Sequence, residues 1–151
     1  MTSDASGQMV VFDLDGTLVD IGHRLQYVKG PGKKDWDAFH EACDRDAPIT
    51  KTIGLAQLHW DAGYRVEVWS GRMATVEDKT MRWLAEHGIK YHYLRMRPRG
   101  DYTPDDEMKE RWLGMLAPSA RPIYVFDDRK RVVDMWRRNG ILCFHVADGD
   151  Y

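Results

Sequence analysis

Cysteine is scarce: Cys43 and Cys143 are the only two in 151 residues. They lie far apart and match no metal or redox spacing. A disulfide framework is thereby excluded, and both read as reduced thiols of a cytoplasmic protein. Long apolar runs are also missing, since none approaches the about 18 residues of a membrane helix. The first residues, MTSDASGQ, hold neither a basic stretch nor an apolar core. No secretion signal is expected there, and residues 1–8 read as a disordered tail. An excess of one charge is absent too, because the net charge is −2. That balance argues neither for nor against a nucleic-acid partner. A nucleotide-binding P-loop is also lacking. "GPGKK" at residues 30–34 has lysine where serine or threonine is needed, and no strand precedes it, so kinase activity is not expected. His23, His40 and His59 form no ligand pattern and read as surface or core residues.

What is present is alternation. Five apolar runs read as strands: Met9–Phe12, Tyr64–Trp69, Tyr91–Met96, Ile123–Phe126 and Ile141–Val146. Between them lie helical patterns. One runs from Thr50, read as its cap, to about Ala62 before Gly63. A second opens at a Thr75/Asp78 capping box and ends at His87-Gly88. A third opens at Thr103-Pro104, with acidic residues 105–107 in its first turn. The last carries Val132, Val133 and Trp136 and stops at Asn139-Gly140. Trp83, Trp112 and Trp136 fall on apolar faces and read as core. Strands alternating with helices predict a parallel sheet covered on both faces, a three-layer α/β fold. Residues 9–151 read as one domain. Residues 20–49 break the alternation and are expected to form a small cap or rim with one short helix near Trp36–Cys43.

In such a sheet, ligands bind beyond the carboxyl ends of the strands. Asp13-Leu14-Asp15-Gly16-Thr17 follows the first strand, Ser70-Gly71-Arg72 the second and Asp127-Asp128-Arg129 the fourth. Lys109 precedes that fourth strand. Four carboxylates (Asp13, Asp15, Asp127 and Asp128) gathered in one crevice call for a hard divalent cation. The all-oxygen set favours Mg²⁺ over zinc. Ser70, Arg72, Lys109 and the loop amides can hold phosphate oxygens. A carboxylate brought against phosphorus can act as a nucleophile, and a second can move the proton. The basic clusters Lys29/Lys33/Lys34, Arg95/Arg97/Arg99 and Arg129/Lys130/Arg131 can rim the crevice. Each taken alone is ordinary surface charge.

These residues resemble the haloacid dehalogenase (HAD) phosphohydrolases. "VVFDLDGTLVD", Ser70 in "VWSGR", Lys109 in "DDEMKERW" and the acidic pair in "YVFDDRKRVVDMW" follow that family's motif order over nearly the whole chain. The resemblance implies a Rossmann-like HAD fold with a five-stranded parallel sheet and a minimal cap insert. It implies Asp13 as nucleophile, Asp15 as general acid/base, and Ser70 and Lys109 as ligands of the transferring phosphoryl group. It implies Mg²⁺ on Asp13, Asp127, Asp128 and the Asp15 backbone carbonyl. Which of Asp127 and Asp128 meets the metal directly stays open. "FDDRKRVVDMWRRNGILCFHVADGDY" is similar to the 3′-phosphatase domain of phage-type polynucleotide kinase–phosphatases. That likeness implies Arg72 and Arg129 as substrate-phosphate ligands, with Gly71 and Thr17 beside them.

The expected function is therefore Mg²⁺-dependent removal of a 3′-phosphate from a polynucleotide end or nucleotide. A separate kinase or ligase can act as partner, and no membrane is expected to be one. The alternative is a phosphatase of nucleoside 5′-monophosphates or other small phosphomonoesters. A non-catalytic nucleic-acid-binding module stands against the intact set of acidic residues. No domain-sized cap is present, so an open crevice is expected.

Overall fold

The computed structural model describes residues 7–151. Residues 1–6 of the expected tail lie outside the described residues. Gln8 is already tied to the sheet, its carbonyl accepting from Arg65 N at 2.8 Å.

The chain order is β1 (Met9–Phe12), β2 (Val19–Asp20), α1 (Trp36–Glu41), β3 (Ala47–Pro48), α2 (Thr50–Asp61), β4 (Arg65–Met73), α3 (Glu77–Glu86), β5 (Tyr93–Arg97), α4 (Asp105–Gly114), β6 (Tyr124–Asp127), α5 (Lys130–Arg138) and β7 (Leu142–His145). The main sheet is parallel throughout, in the order β5-β4-β1-β6-β7. The central strand β1 is buried at every residue, as its unbroken apolar run requires.

Alternation along β1 divides the interior into two cores. Val10 and Phe12 face Val66, Val68, Ala56 and Leu84, under α2 and α3. Met9 and Val11 face Trp69, Met108, Trp112, Val133 and Trp136, under α4 and α5. Trp83, Trp112 and Trp136 are core residues, as expected. Each fully buried large apolar side chain contributes on the order of 1.5–3 kcal/mol.

Three expected caps are not formed. Ile49, not Thr50, is the N-cap of α2, and it makes no side-chain bond. The Thr75/Asp78 box is replaced by a short 3₁₀ turn at Ala74–Val76, after which α3 begins at Glu77. Pro104 is the N-cap of α4, and the Thr103 hydroxyl donates to Asp101 instead of facing the helix end.

Residues 20–49 hold more structure than one short helix. β2 and β3 pair antiparallel, closing the segment at its base, and 3₁₀ turns flank α1. β4 runs four residues further than expected, with a register shift between Ser70 and Met73 against β5. That irregularity carries Gly71 against Asp105. A Cβ at Gly71 would stand 2.6 Å from Asp105 Oδ1, so any larger residue would displace the Asp105 carboxylate.

Candidate active site

The strand ends deliver the acidic side chains. Asp13 follows β1, and its amide donates to the Phe126 carbonyl at 2.9 Å, which extends the sheet by one more bond. The chain then turns at Gly16, with φ +81°. A Cβ there would lie 2.0 Å from Asp128 Oδ2, so the glycine is required by both turn and contact. Asp127 closes β6 and Asp128 follows it.

Asp13, Asp127 and Asp128 are buried, and each offers a carboxylate oxygen within 4.8 Å of the other two. Lys109 Nζ, from α4, donates to Asp13 Oδ1 at 2.8 Å and to Asp127 Oδ2 at 2.9 Å. The Thr17 hydroxyl lies 3.1 Å from Asp13 Oδ2 and 3.4 Å from Asp128 Oδ1. The Arg129 amide donates to Asp127 Oδ1 at 3.1 Å. One ammonium thus faces three carboxylates.

The imbalance shows in their proton affinities. Burial, then the neighbouring Asp127, pushes Asp13 up to about 7 despite Lys109. Burial, then Asp13 and Asp127, pushes Asp128 up to about 10. Burial works against the Lys109 ammonium, but Asp127 and Asp13 hold its pKa above the ordinary value. Three hard oxygen donors with negative charge in excess fit a divalent cation of the Mg²⁺ type.

Asp15 is treated differently. Its Oδ1 accepts from Arg24 Nη2 at 2.6 Å and from Arg72 Nε at 2.9 Å. Asp46 bridges the same two guanidiniums, at 2.6 Å from Arg24 and 2.7 Å from Arg72. Burial alone would raise Asp15, but Arg72 and Arg24 hold it well below the usual carboxylate range. Its side chain is no member of the three-carboxylate cluster. Its backbone carbonyl accepts from the Tyr151 hydroxyl at 3.1 Å.

Arg72 does not stand where a substrate ligand was expected. It is fully buried and takes no part in lining the cavity. Its nitrogens go to Asp15, to Asp46 and to Thr80 Oγ1. Two buried carboxylates claim the guanidinium, so it orients Asp15 from outside the crevice. Ser70 is likewise fully buried, and its Oγ accepts from the Arg72 amide at 3.1 Å. Thr17 is buried between Asp13 and Asp128.

The cavity above Asp13 and Asp15 has a volume of about 220 Å³. Gly71, Arg97, Asp105 and Arg129 line it from the sheet side, and Trp36, Phe39 and His40 line it from residues 20–49. Trp36, Phe39 and His40 thus give the crevice an aromatic border on the side of residues 20–49. Arg129 does reach it, with Nη1 on Asp105 Oδ2 at 2.7 Å and its guanidinium 4.7 Å above the Tyr151 ring. Arg97 anchors the rim through Asp105 and the carbonyls of Gly71 and Asp101. Of the other basic clusters, Lys29, Lys33 and Lys34 are exposed.

Sequence reasoning missed Arg24, Asp46, His40 and the cavity role of Asp105. Asp105 carried a helix-terminus signal that hid its contacts with Arg97 and Arg129. Arg24 and Asp46 sit in an irregular segment with no periodic pattern, so no local signal marks them.

A doubly covered parallel sheet with buried carboxylates beyond its central strand, and a lysine between them, defines a hydrolase of the HAD type. The chain belongs to the family of polynucleotide kinase PNKP phosphatase domains, whose family model matches residues 7–151. It is a phosphatase of that kind. A structure described as the Pnkp1/Rnl/Hen1 complex is 31% identical, with a TM-score of 0.81. The match covers 97% of this chain and 48% of that one. A second, described as the Pnkp1/Rnl/Hen1 RNA repair complex, is 32% identical, with a TM-score of 0.77 over 95% of this chain and 43% of that one. The chain therefore spans less than half the length of these two relatives. A hydrolase from Streptococcus pneumoniae TIGR4 shares the fold, at 12% identity and a TM-score of 0.58 over 94% of each chain. Among the described residues, no helix is long and apolar enough to cross a membrane.

Proposed function

We propose that this phosphatase removes 3′-phosphates from polynucleotide ends or nucleotides, with Mg²⁺ as cofactor. The observation that carries the metal-dependent chemistry is the contrast between Asp13, in an undercompensated acidic cluster, and Asp15, locked to two arginines. A bound Mg²⁺ would neutralise the cluster and draw a phosphate oxygen toward Asp13. Asp13, Asp127, Asp128 and the Asp15 carbonyl are its ligands in this reading.

Asp13 attacks the phosphorus, the bond to the nucleoside oxygen breaks, and an aspartyl-phosphate forms. Lys109 steadies Asp13 and the transferring group. Arg129, whose guanidinium lines the cavity, takes a substrate oxygen, and the Gly71 loop borders the phosphate. Water then attacks the phosphorus, Asp15 takes its proton, and Asp13 is released with inorganic phosphate. Pairing with Arg24 and Arg72 favours the ionised Asp15 that this second step needs. Its acid role in the first step requires a proton gained against both arginines. Arg72 is thus a positioning residue for Asp15.

Membership of the PNKP phosphatase family and the likeness to an RNA repair complex support a polynucleotide 3′ end as substrate. A separate kinase or ligase that continues the repair belongs to the same reading, as does a cytoplasmic location. The test is release of phosphate from 3′-phosphorylated RNA and DNA oligonucleotides, 3′-mononucleotides and 5′-mononucleotides, each with Mg²⁺ and with EDTA. Turnover of the 3′-phosphorylated substrates, lost in EDTA, is expected. Turnover of 5′-mononucleotides alone would overturn the substrate assignment.

A further inference from the structure

A second cavity, of about 470 Å³, lies at the opposite end of the sheet. Arg65, Glu67, Tyr93, Arg95, Ser119 and Arg121 line it. Arg65 and Tyr93 open β4 and β5, so this cavity sits at the amino ends of the strands. The catalytic crevice sits at their carboxyl ends, and no residue lines both.

Its charge is unbalanced. Among the described residues, Glu67 is the one acidic side chain in the lining, and both of its oxygens are taken. Oε1 accepts from Arg65 Nε at 2.9 Å and Oε2 from Trp69 Nε1 at 2.7 Å. Among the described residues, no acidic side chain pairs with Arg95 or Arg121. Among the described residues, the Nε of each is buried without a hydrogen-bond partner. A buried N–H donor with no acceptor is costly, and both side chains are partly exposed and line the cavity, where an oxyanion can meet their guanidiniums.

Arg95 is also held in place. Its guanidinium carbon lies 5.0 Å from the Trp69 ring centre, 5.3 Å from that of Tyr93 and 5.7 Å from that of Trp112. A cation fixed by three rings loses little freedom when it binds an anion. The planar fork of arginine matches phosphate geometry. Tyr93 stands beside it on the edge strand, 46% exposed. Arginine for phosphate next to an exposed aromatic ring for a base is the pattern by which single strands are held.

We infer that this cavity is a second nucleic-acid contact, in which Arg95 and Arg121 take a backbone phosphodiester and Tyr93 stacks a neighbouring base. The site reaches beyond hydrolysis, because it holds the polymer away from the reacting end.

The test is fluorescence anisotropy of a labelled single-stranded oligonucleotide ending in a 3′-hydroxyl, across a salt titration. That probe has no phosphate to lose, so the result stands whichever phosphomonoester the catalytic crevice takes. Arg121→Gln and Arg95→Met are each expected to lower the slope of log K against log salt by about 0.7, one phosphate contact on a single strand. Tyr93→Leu is expected to weaken binding with the slope unchanged. Hydrolysis of p-nitrophenyl phosphate stays at the wild-type level in all three, which reports an intact fold. Arg121→Gln, at a partly exposed side chain, carries the test if Arg95→Met does not fold. Unchanged affinity and slope in the arginine variants, or no oligonucleotide binding by the wild type, would overturn the inference. Both results would follow if the cavity took an acidic protein segment or inorganic phosphate alone.

Discussion

Asp13 and Asp15 stand two residues apart on one strand end, and both are buried. Their surroundings are opposite. Asp13 shares a pocket with Asp127 and Asp128, and Lys109 is the cation between them. Asp15 shares a pocket with Asp46, and two guanidiniums, Arg24 and Arg72, match the two carboxylates. The first group is left with negative charge, which raises Asp13 and Asp128. The second is neutral, and Asp15 is held low. Burial is common to both, so the count of neighbouring cations decides the outcome. One group demands a further cation, and the other has its own.

The largest effect expected from breaking this contrast is on turnover. Asp13→Asn should lower phosphatase activity by roughly 10⁴-fold or more, as loss of a nucleophile does. The measurement is phosphate release at saturating Mg²⁺. Asp46→Asn attacks the balanced group and leaves two buried guanidiniums facing one carboxylate. It should cost about 3–5 kcal/mol of stability, read as a lowered urea midpoint.

A smaller effect follows from pH. In EDTA, Asp13 and Asp128 keep protons in the folded state that they lose when unfolded, because their folded pKa values are raised. The folded state then binds more protons between the ordinary value of 3.8 and about 7. Stability should fall as pH rises through that window, and Mg²⁺ should flatten the fall. Urea titrations with and without Mg²⁺ check this against Asp13→Asn and Asp128→Asn, which isolate each group. The smallest effect is Asp128→Asn in EDTA at neutral pH. It removes a carboxyl that must take up a proton to fold at that pH and should stabilise the fold by on the order of 1 kcal/mol.

The first group was legible in the sequence, and the second was only half so. Asp13, Asp127 and Asp128 each follow an apolar strand, so chain order alone brings them to one crevice. Lys109 falls on the helix that leads into β6. The five strands were readable because buried parallel strands are near-continuous apolar runs. Arg72 was visible as a residue, but a linear pattern does not say what a guanidinium faces. Its partners come from Asp15 and from Asp46, at the end of an irregular segment. The helix caps expected at Thr50, Thr75 and Thr103 failed as well: the helices start from Ile49, Val76 and Pro104, and spacing alone does not mark where a first turn closes.

Calorimetric titration of Mg²⁺ into the protein at neutral pH tests the central contrast most directly. The account predicts one site in the wild type, lost or greatly weakened in Asp128→Asn. Undiminished Mg²⁺ affinity in Asp128→Asn, or no binding to the wild type, would contradict it.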